Sequence, residues 1–138
     1  MELEQRVYEK ILSLCELGDS LVDKSNYDEA VSKYLEVLEL VPVPKNIWEA
    51  STWIYTAIGD TCFLKGDYQK AKDFLYDAVN CPDGLSNPFI LLRLGQSLQE
   101  LGYNEKPKEY LLRSYMLEGH KIFQDEDDKY FNLIIDII

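Results

Sequence analysis

Residues 55–75, YTAIGDTCFLKGDYQKAKDFL, decide the fold of this 138-residue chain. From Tyr55 to Cys62, large and small apolar residues recur at i, i+3, i+4 and i+7, the spacing that builds one face of an amphipathic helix. A glycine inside a helix costs about 1 kcal/mol relative to alanine, so Gly59 needs a structural reason. The close approach of a second helix at Ala71 would supply that reason. The stretch therefore predicts two helices packed as a hairpin.

The same pattern occurs three times along the chain. In each copy a glycine stands twelve residues ahead of a second characteristic position, in the pairs Gly18 and Ala30, Gly59 and Ala71, and Gly95 and Pro107. Gly66 and Gly102 are expected to end the first helix of their copies, and Asp67 and Asn104 to cap the second. These observations predict stacked helical hairpins, an architecture that usually works by holding another protein.

The three copies resemble the tetratricopeptide repeat, whose 34-residue pattern is W-x2-L-G-x2-Y, then A-x3-F, then P. The resemblance implies an all-α, right-handed solenoid of about three helical hairpins. The expected bounds are 1–138 for a single domain, 11–44, 52–85 and 88–121 for the repeats, and 126–138 for a C-terminal capping helix. The repeated glycines are 41 and 36 residues apart. The extra residues fall around 41–46, where two prolines predict a turn or a short extended link.

The chain is strongly acidic, with a net charge of −11 from 25 acidic and 14 basic side chains. This balance argues against direct binding of nucleic acid, which needs clustered lysine and arginine, and against an anionic membrane surface. It favours a basic protein partner, through steering and complementarity. The alternative is that the acidity serves only to keep the protein in solution.

Nothing in the sequence indicates export or membrane insertion. The first residues lack the apolar core of a signal peptide, and no stretch approaches the 18 apolar residues of a membrane helix. Cys15, Cys62 and Cys81 are odd in number and lack paired spacing, which is typical of reduced thiols. A cytoplasmic protein is therefore predicted.

Motifs that carry catalytic chemistry are missing from the sequence. The single histidine, His120, and the scattered cysteines cannot form a zinc set of the usual spacing. The acidic run at residues 125–128 lacks the glycine and the closing glutamate of an EF-hand loop, and it is better interpreted as the solvated start of a helix. We therefore expect no catalytic residue, no metal and no cofactor, and hence no enzyme.

A binding surface remains as the candidate site. In tetratricopeptide repeat proteins the first helix of each pair lines the inner face, and the resemblance implies the same here. The residues predicted to bind the partner are Asp19, Asp23, Trp53, Thr56, Asp60, Phe63, Phe89, Gln96, Gln99 and Glu100. Aromatic anchors surrounded by charge are typical of interface hot spots. The alternative is that Trp53 and Phe63 pack against the N-terminal helix or the insertion.

The end of the chain carries a looser resemblance. The run Leu117-Glu118-Gly119, with Ile122-Phe123 and the acidic stretch that follows, is similar to small bacterial tetratricopeptide immunity proteins of polymorphic toxins. The resemblance implies a protein that neutralises a basic toxin. Two alternatives are a type III secretion chaperone, which would bind an extended segment, and a general scaffold. The apolar tail would also suit a homodimer through the C-terminal helix.

Overall fold

The computed structural model describes residues 2–138, which form α-helices and short 3-10 helices without a strand. The α-helices are α1 (Gln5–Asp23), α2 (Tyr27–Glu39), α3 (Glu49–Lys65), α4 (Tyr68–Val79), α5 (Pro88–Glu100), α6 (Lys106–Glu118) and α7 (Asp128–Asn132). The 3-10 helices are Lys45–Ile47 and His120–Phe123. Helices α1 and α2, α3 and α4, and α5 and α6 pack together as three successive hairpins. The predicted all-α helical repeat is thereby confirmed.

The three repeated glycines lie where the two helices of a hairpin approach most closely. The nearest atom to a Cβ built on each glycine belongs to the residue sixteen positions later, at 2.6 Å for Gly18 and Tyr34, 2.6 Å for Gly59 and Leu75, and 2.8 Å for Gly95 and Leu111. Real Cβ atoms do not approach so closely, so a side chain at any of these positions would force the facing side chain or its helix to shift. The predicted reason for the glycines is therefore correct, and the next helix also approaches at the backbone oxygens of Ala71 and Pro107.

The ends of the helices follow the sequence signals in the second repeat and depart from them in the third. Gly66 ends α3 with a φ of 91°, which glycine adopts without strain, and Asp67 accepts a hydrogen bond from the N–H of Lys70 at 3.2 Å. In the third repeat, α6 begins at Lys106, so Asn104 is not its cap. The helix begins one residue later than expected, with Glu105 at the cap position, and Pro107 lies in its first turn, where no N–H partner is needed.

The insertion between the first two repeats forms an ordered link. The Lys45 ammonium donates hydrogen bonds to the carbonyls of Leu38 at 2.8 Å and Val41 at 2.7 Å, which satisfies carbonyl groups at the end of α2. The indole N–H of Trp48 donates to the carbonyl of Pro42 at 2.9 Å. These bonds hold the insertion against the end of α2 and place Trp48 beside the start of α3.

The last part of the chain, residues 120–138, is called the C-terminal segment below. The predicted capping helix at 126–138 is wrong in its extent, because only Asp128–Asn132 is α-helical. Beyond it the backbone makes i→i+3 hydrogen bonds, which tighten the chain into turns. The buried side chains of Phe123, Tyr130 and Ile134 pack with residues of α5 and α6. The segment thus folds back on the third hairpin as a compact cover.

Candidate functional site

Helices α1, α3 and α5 contribute to a common surface, called the inner face below. The ring of Tyr8 on α1 meets that of Trp53 on α3, and Asp60 on α3 pairs with Arg93 on α5. These three helices are the first members of the three hairpins. The inner face differs sharply between the first two repeats and the third.

An acidic hollow lies between the first two repeats. Its volume is about 210 Å³, and Asp19, Asp23 and Asp60 line it together with Tyr34. The hydroxyl of Tyr34 donates a hydrogen bond to the carboxylate of Asp19. Burial, with a further contribution from Asp19, raises the pKa of Tyr34, so this phenol stays neutral and keeps donating. Three of the predicted partner-binding residues are therefore brought together here, and two of them, Asp19 and Asp23, are exposed.

The opposite end of the same two helices is apolar. Trp53 is 39% exposed and Tyr8 is 38% exposed, and their rings meet edge to face with centroids 6.2 Å apart. Leu12 adds a third exposed apolar side chain on α1. Thr56, half-buried one turn beyond Trp53, donates its hydroxyl to the carbonyl of Thr52 at 2.6 Å. Trp53 is thus partly supported by the N-terminal helix and still presents an accessible ring.

The third repeat carries a buried arginine on its inner face. The Arg93 guanidinium donates to Asp60 and to Gln96, each at 2.7 Å, and also to Glu126 of the C-terminal segment. Its carbon lies 4.6 Å from the ring centroid of Phe63 and 5.0 Å from that of Phe89. Burial alone would lower the pKa of Arg93, but the two carboxylates outweigh it and raise the pKa. The arginine is held as a charged group by carboxylates and aromatic rings.

The C-terminal segment covers this part of the inner face. Glu126 accepts a hydrogen bond from the amide of Gln96 at 2.7 Å, and the hydroxyl of Tyr130 donates to Glu100 at 2.9 Å. Lys129 pairs with the same Glu100 carboxylate at 3.0 Å. Burial and then the hydrogen bond to Glu100 raise the pKa of Tyr130. The third repeat therefore uses its inner-face polar groups to bind its own chain.

This cover corrects one predicted site residue. Gln96 has 0% exposure, and its amide oxygen accepts a hydrogen bond from Arg93 while its amide nitrogen donates one to Glu126. A partner cannot contact it while the C-terminal segment stays in place. Phe63, Phe89, Gln99 and Glu100 are half-buried, and the first two are engaged with Arg93.

Sequence reasoning missed Tyr8 because it started the first repeat at residue 11, whereas α1 begins at Gln5. A signal was available, since Tyr8 lies one helical turn before Leu12 on the same face. Across residues 2–138, no three His, Cys, Asp or Glu side chains are placed to hold a metal ion together. None of the helices in this part of the chain is both long and apolar enough to cross a membrane.

Comparison with known proteins agrees with this geometry. A family model described as the tetratricopeptide repeat matches residues 54–80. These residues, which span most of α3 and all of α4, therefore carry one tetratricopeptide repeat. The crystal structure of the Yersinia enterocolitica type III secretion chaperone SycD, in complex with a peptide of the translocator YopD, matches this chain with a TM-score of 0.72. That match covers 91% of this chain and 90% of that chain at 12% sequence identity, which shows a shared fold.

No curated protein matches the sequence. This chain is distinguished by the contrast between the two parts of its inner face. Its inner face is open in the first two repeats, with an acidic end and an aromatic end, and is covered by its own C-terminal segment in the third.

Proposed function

We propose that this protein binds an extended, basic segment of a partner protein along the inner face of its first two repeats. The observation that carries the proposal is the open surface between α1 and α3. One end of it presents the exposed rings of Tyr8 and Trp53, and the other presents Asp19, Asp23 and Asp60. SycD, which shares the fold, was crystallised with a peptide of its translocator.

The two ends of this surface suit different parts of a bound segment. Exposed tryptophan and tyrosine rings supply large contact areas at a low cost in side-chain entropy, which is why such residues are frequent at hot spots. Asp60 is already paired with Arg93, so the exposed carboxylates of Asp19 and Asp23 supply most of the negative potential at the hollow. This potential attracts lysine and arginine and speeds association. A segment that lays a side chain with a large contact area over the rings and places basic residues at the hollow would complement both.

A chaperone or scaffold is favoured over an inhibitor of a folded domain. The C-terminal segment occupies the third repeat, so the open inner face is confined to two repeats, which suits a narrow segment better than a broad interface. The immunity function remains a prediction, because the matches concern only the repeat and the fold. The absence of catalysis, a cytoplasmic location and a homodimer through the C-terminal segment likewise remain predictions.

The test starts from the full protein as bait in extracts of its source cells, followed by titration of the recovered partner against variants. Trp53→Ala removes the aromatic anchor, and we expect at least about a 30-fold loss of affinity, the equivalent of 2 kcal/mol. Asp23→Lys should slow association and weaken its salt dependence. Met116→Ala on α6 is the matched control, since Met116 is exposed and far along the chain from the inner-face helices α1 and α3.

Asp60 is unsuitable as a charge variant in this test. Its carboxylate holds the buried Arg93 at 2.7 Å, so a substitution there would change stability as well as charge. An acidic partner would contradict the proposal, and so would a partner whose affinity drops with Met116→Ala but not with Trp53→Ala or Asp23→Lys. Growth of cells that express the partner then separates the functions: an immunity protein abolishes the partner's toxicity, whereas a chaperone promotes its delivery.

A further inference from the structure

A cleft of about 690 Å³ opens where the inner face meets the insertion between the first two repeats. It lies at the aromatic end of α1 and α3, away from the acidic hollow. The charged, aromatic and large aliphatic side chains that define its chemistry include Glu2, Tyr8, Ile47, Trp48, Glu49 and Trp53. We call it the aromatic cleft.

The composition of the aromatic cleft points to a cation. Three of its lining side chains are aromatic and two are carboxylates, and the lining residues described by the structure include no lysine or arginine. The hydrogen bond from Trp48 to Pro42 fixes one ring, and the edge-to-face contact with Tyr8 supports the ring of Trp53. Aromatic faces attract a positive charge through their quadrupole, and nearby carboxylates add direct attraction.

The chain itself shows what such a set of groups binds. In the third repeat, the rings of Phe63 and Phe89 lie 4.6 and 5.0 Å from the Arg93 guanidinium, and Asp60 and Glu126 pair with it. That site is filled by the protein's own arginine. The aromatic cleft offers rings and carboxylates in a comparable combination, but within residues 2–138 no lysine or arginine lines it.

We propose that the aromatic cleft binds an arginine side chain of the partner's segment. This inference rests on the proposed function and identifies the residue type that the aromatic end recognises. A planar guanidinium stacks on a ring and pairs with a carboxylate at the same time, whereas an ammonium group is a compact, strongly hydrated point charge. The partner is therefore expected to place an arginine over Trp53, with Glu2 and Glu49 neutralising its charge.

The cleft depends on the insertion that distinguishes this chain from a regular repeat. Ile47 and Trp48 directly follow the extra residues around 41–46, and Lys45 within that stretch bonds to carbonyls at the end of α2. This link holds one wall of the cleft, formed by Ile47 and Trp48, in place. Recognition of the arginine is therefore a property that the inserted residues add to the tetratricopeptide surface.

The experiment follows the two tryptophan indole signals of the ¹⁵N-labelled full chain by NMR, with Trp53→Phe to assign them. The probe is N-acetylarginine amide, compared with the lysine and citrulline amides; citrulline has nearly the same shape as arginine without the charge. We expect a saturable shift of the Trp53 signal with the arginine probe, at least threefold weaker binding of the lysine probe, and no saturable shift with citrulline.

Paired variants test the carboxylates. The double variant Glu2→Gln, Glu49→Gln should weaken binding of the arginine probe at least fivefold. The control Glu16→Gln, Glu39→Gln removes the same charge from exposed positions outside the cleft and should leave binding within twofold. Equal losses in both variants, equal binding of citrulline or lysine, or no saturable shift at all would overturn the inference.

The recovered partner separates this inference from the proposed function. If the partner's affinity drops with Asp23→Lys and Trp53→Ala but is unchanged by the Glu2 and Glu49 double variant, the arginine assignment fails and the inner-face function stands. If the arginine probe binds in the cleft but no partner depends on Trp53 or Asp23, the proposed function fails.

Discussion

The exchange of Glu126 for glutamine should loosen the C-terminal segment from the third repeat. Glutamine keeps the length of the side chain and an oxygen that accepts a hydrogen bond, so the change removes mainly the charge. In the native fold that charge faces the Arg93 guanidinium, whose side chain is only 10% exposed, and Glu126 itself is 17% exposed. The variant therefore tests whether an ion pair holds the cover in place.

The size of the effect can be worked out from these contacts. Breaking a buried ion pair by removal of one partner typically costs about 3–5 kcal/mol, because the other charge is left uncompensated. Arg93 keeps Asp60 as a second carboxylate at 2.7 Å, and Glu126 retains some contact with water. We therefore expect a loss below that range, about 1–3 kcal/mol in the free energy of unfolding.

Urea unfolding followed by circular dichroism measures the global loss, and native-state hydrogen exchange locates it. The backbone N–H groups of Tyr130 and Ile134 donate hydrogen bonds within the C-terminal segment. In the variant their exchange rates should rise more than those of the N–H groups of α3. The matched control is Asp125→Asn, which removes the same charge from the exposed neighbouring position. It should change stability by less than about 0.5 kcal/mol.

Two results would refute the reasoning about Glu126. Equal stability of Glu126→Gln and the natural protein would mean that the charge of Glu126 does not hold the segment. An effect that disappears at high salt would mean that the pair is exposed in solution, since partly buried pairs are screened much less than surface pairs.

Two further predictions concern the first two repeats. Gly59→Ala should lower the free energy of unfolding by about 1–3 kcal/mol, because the new Cβ would lie 2.6 Å from Leu75. The control Gln69→Ala, on the exposed surface of α4, should change it by less than about 0.5 kcal/mol. Urea unfolding measures both variants. Burial, and secondarily Asp19, raise the pKa of the Cys15 thiol from 9.0 to about 11. The rate at which iodoacetamide alkylates the folded thiol, measured by mass spectrometry, should therefore follow a pH curve centred near 11. The stability that the neutral thiol contributes should be lost as pH rises from 9.0 towards 11.

The hairpins were predictable from the sequence because their contacts are local. A glycine and the residue sixteen positions later belong to neighbouring helices joined by a short turn, so the spacing of Gly59 and Leu75 already encodes their contact. The left-handed turn at Gly66 and the cap at Asp67 likewise depend on adjacent residues. Periodicity and turn chemistry act over the same short distances, which is why they sufficed here.

The cover over the third repeat could not be predicted in the same way. Glu126 belongs to a run of four acidic residues that is typical of a solvated surface, and its partner Arg93 is 33 residues earlier in the chain. No repeat pattern links the two positions. Gln96 was therefore expected to be accessible, although the tertiary fold buries it completely.

The C-terminal segment has a consequence for any ligand of the third repeat. Because the segment is tethered to the surface it covers, it competes at an effective concentration in about the millimolar range. A ligand of the third repeat binds only those molecules in which the segment has left the surface. Its apparent Kd is therefore the intrinsic Kd divided by the fraction of such molecules. With a closing free energy of about 3 kcal/mol, the apparent affinity would fall roughly 150-fold. Only ligands that displace the segment reach the third repeat, whereas ligands of the first two repeats meet no such tethered competitor.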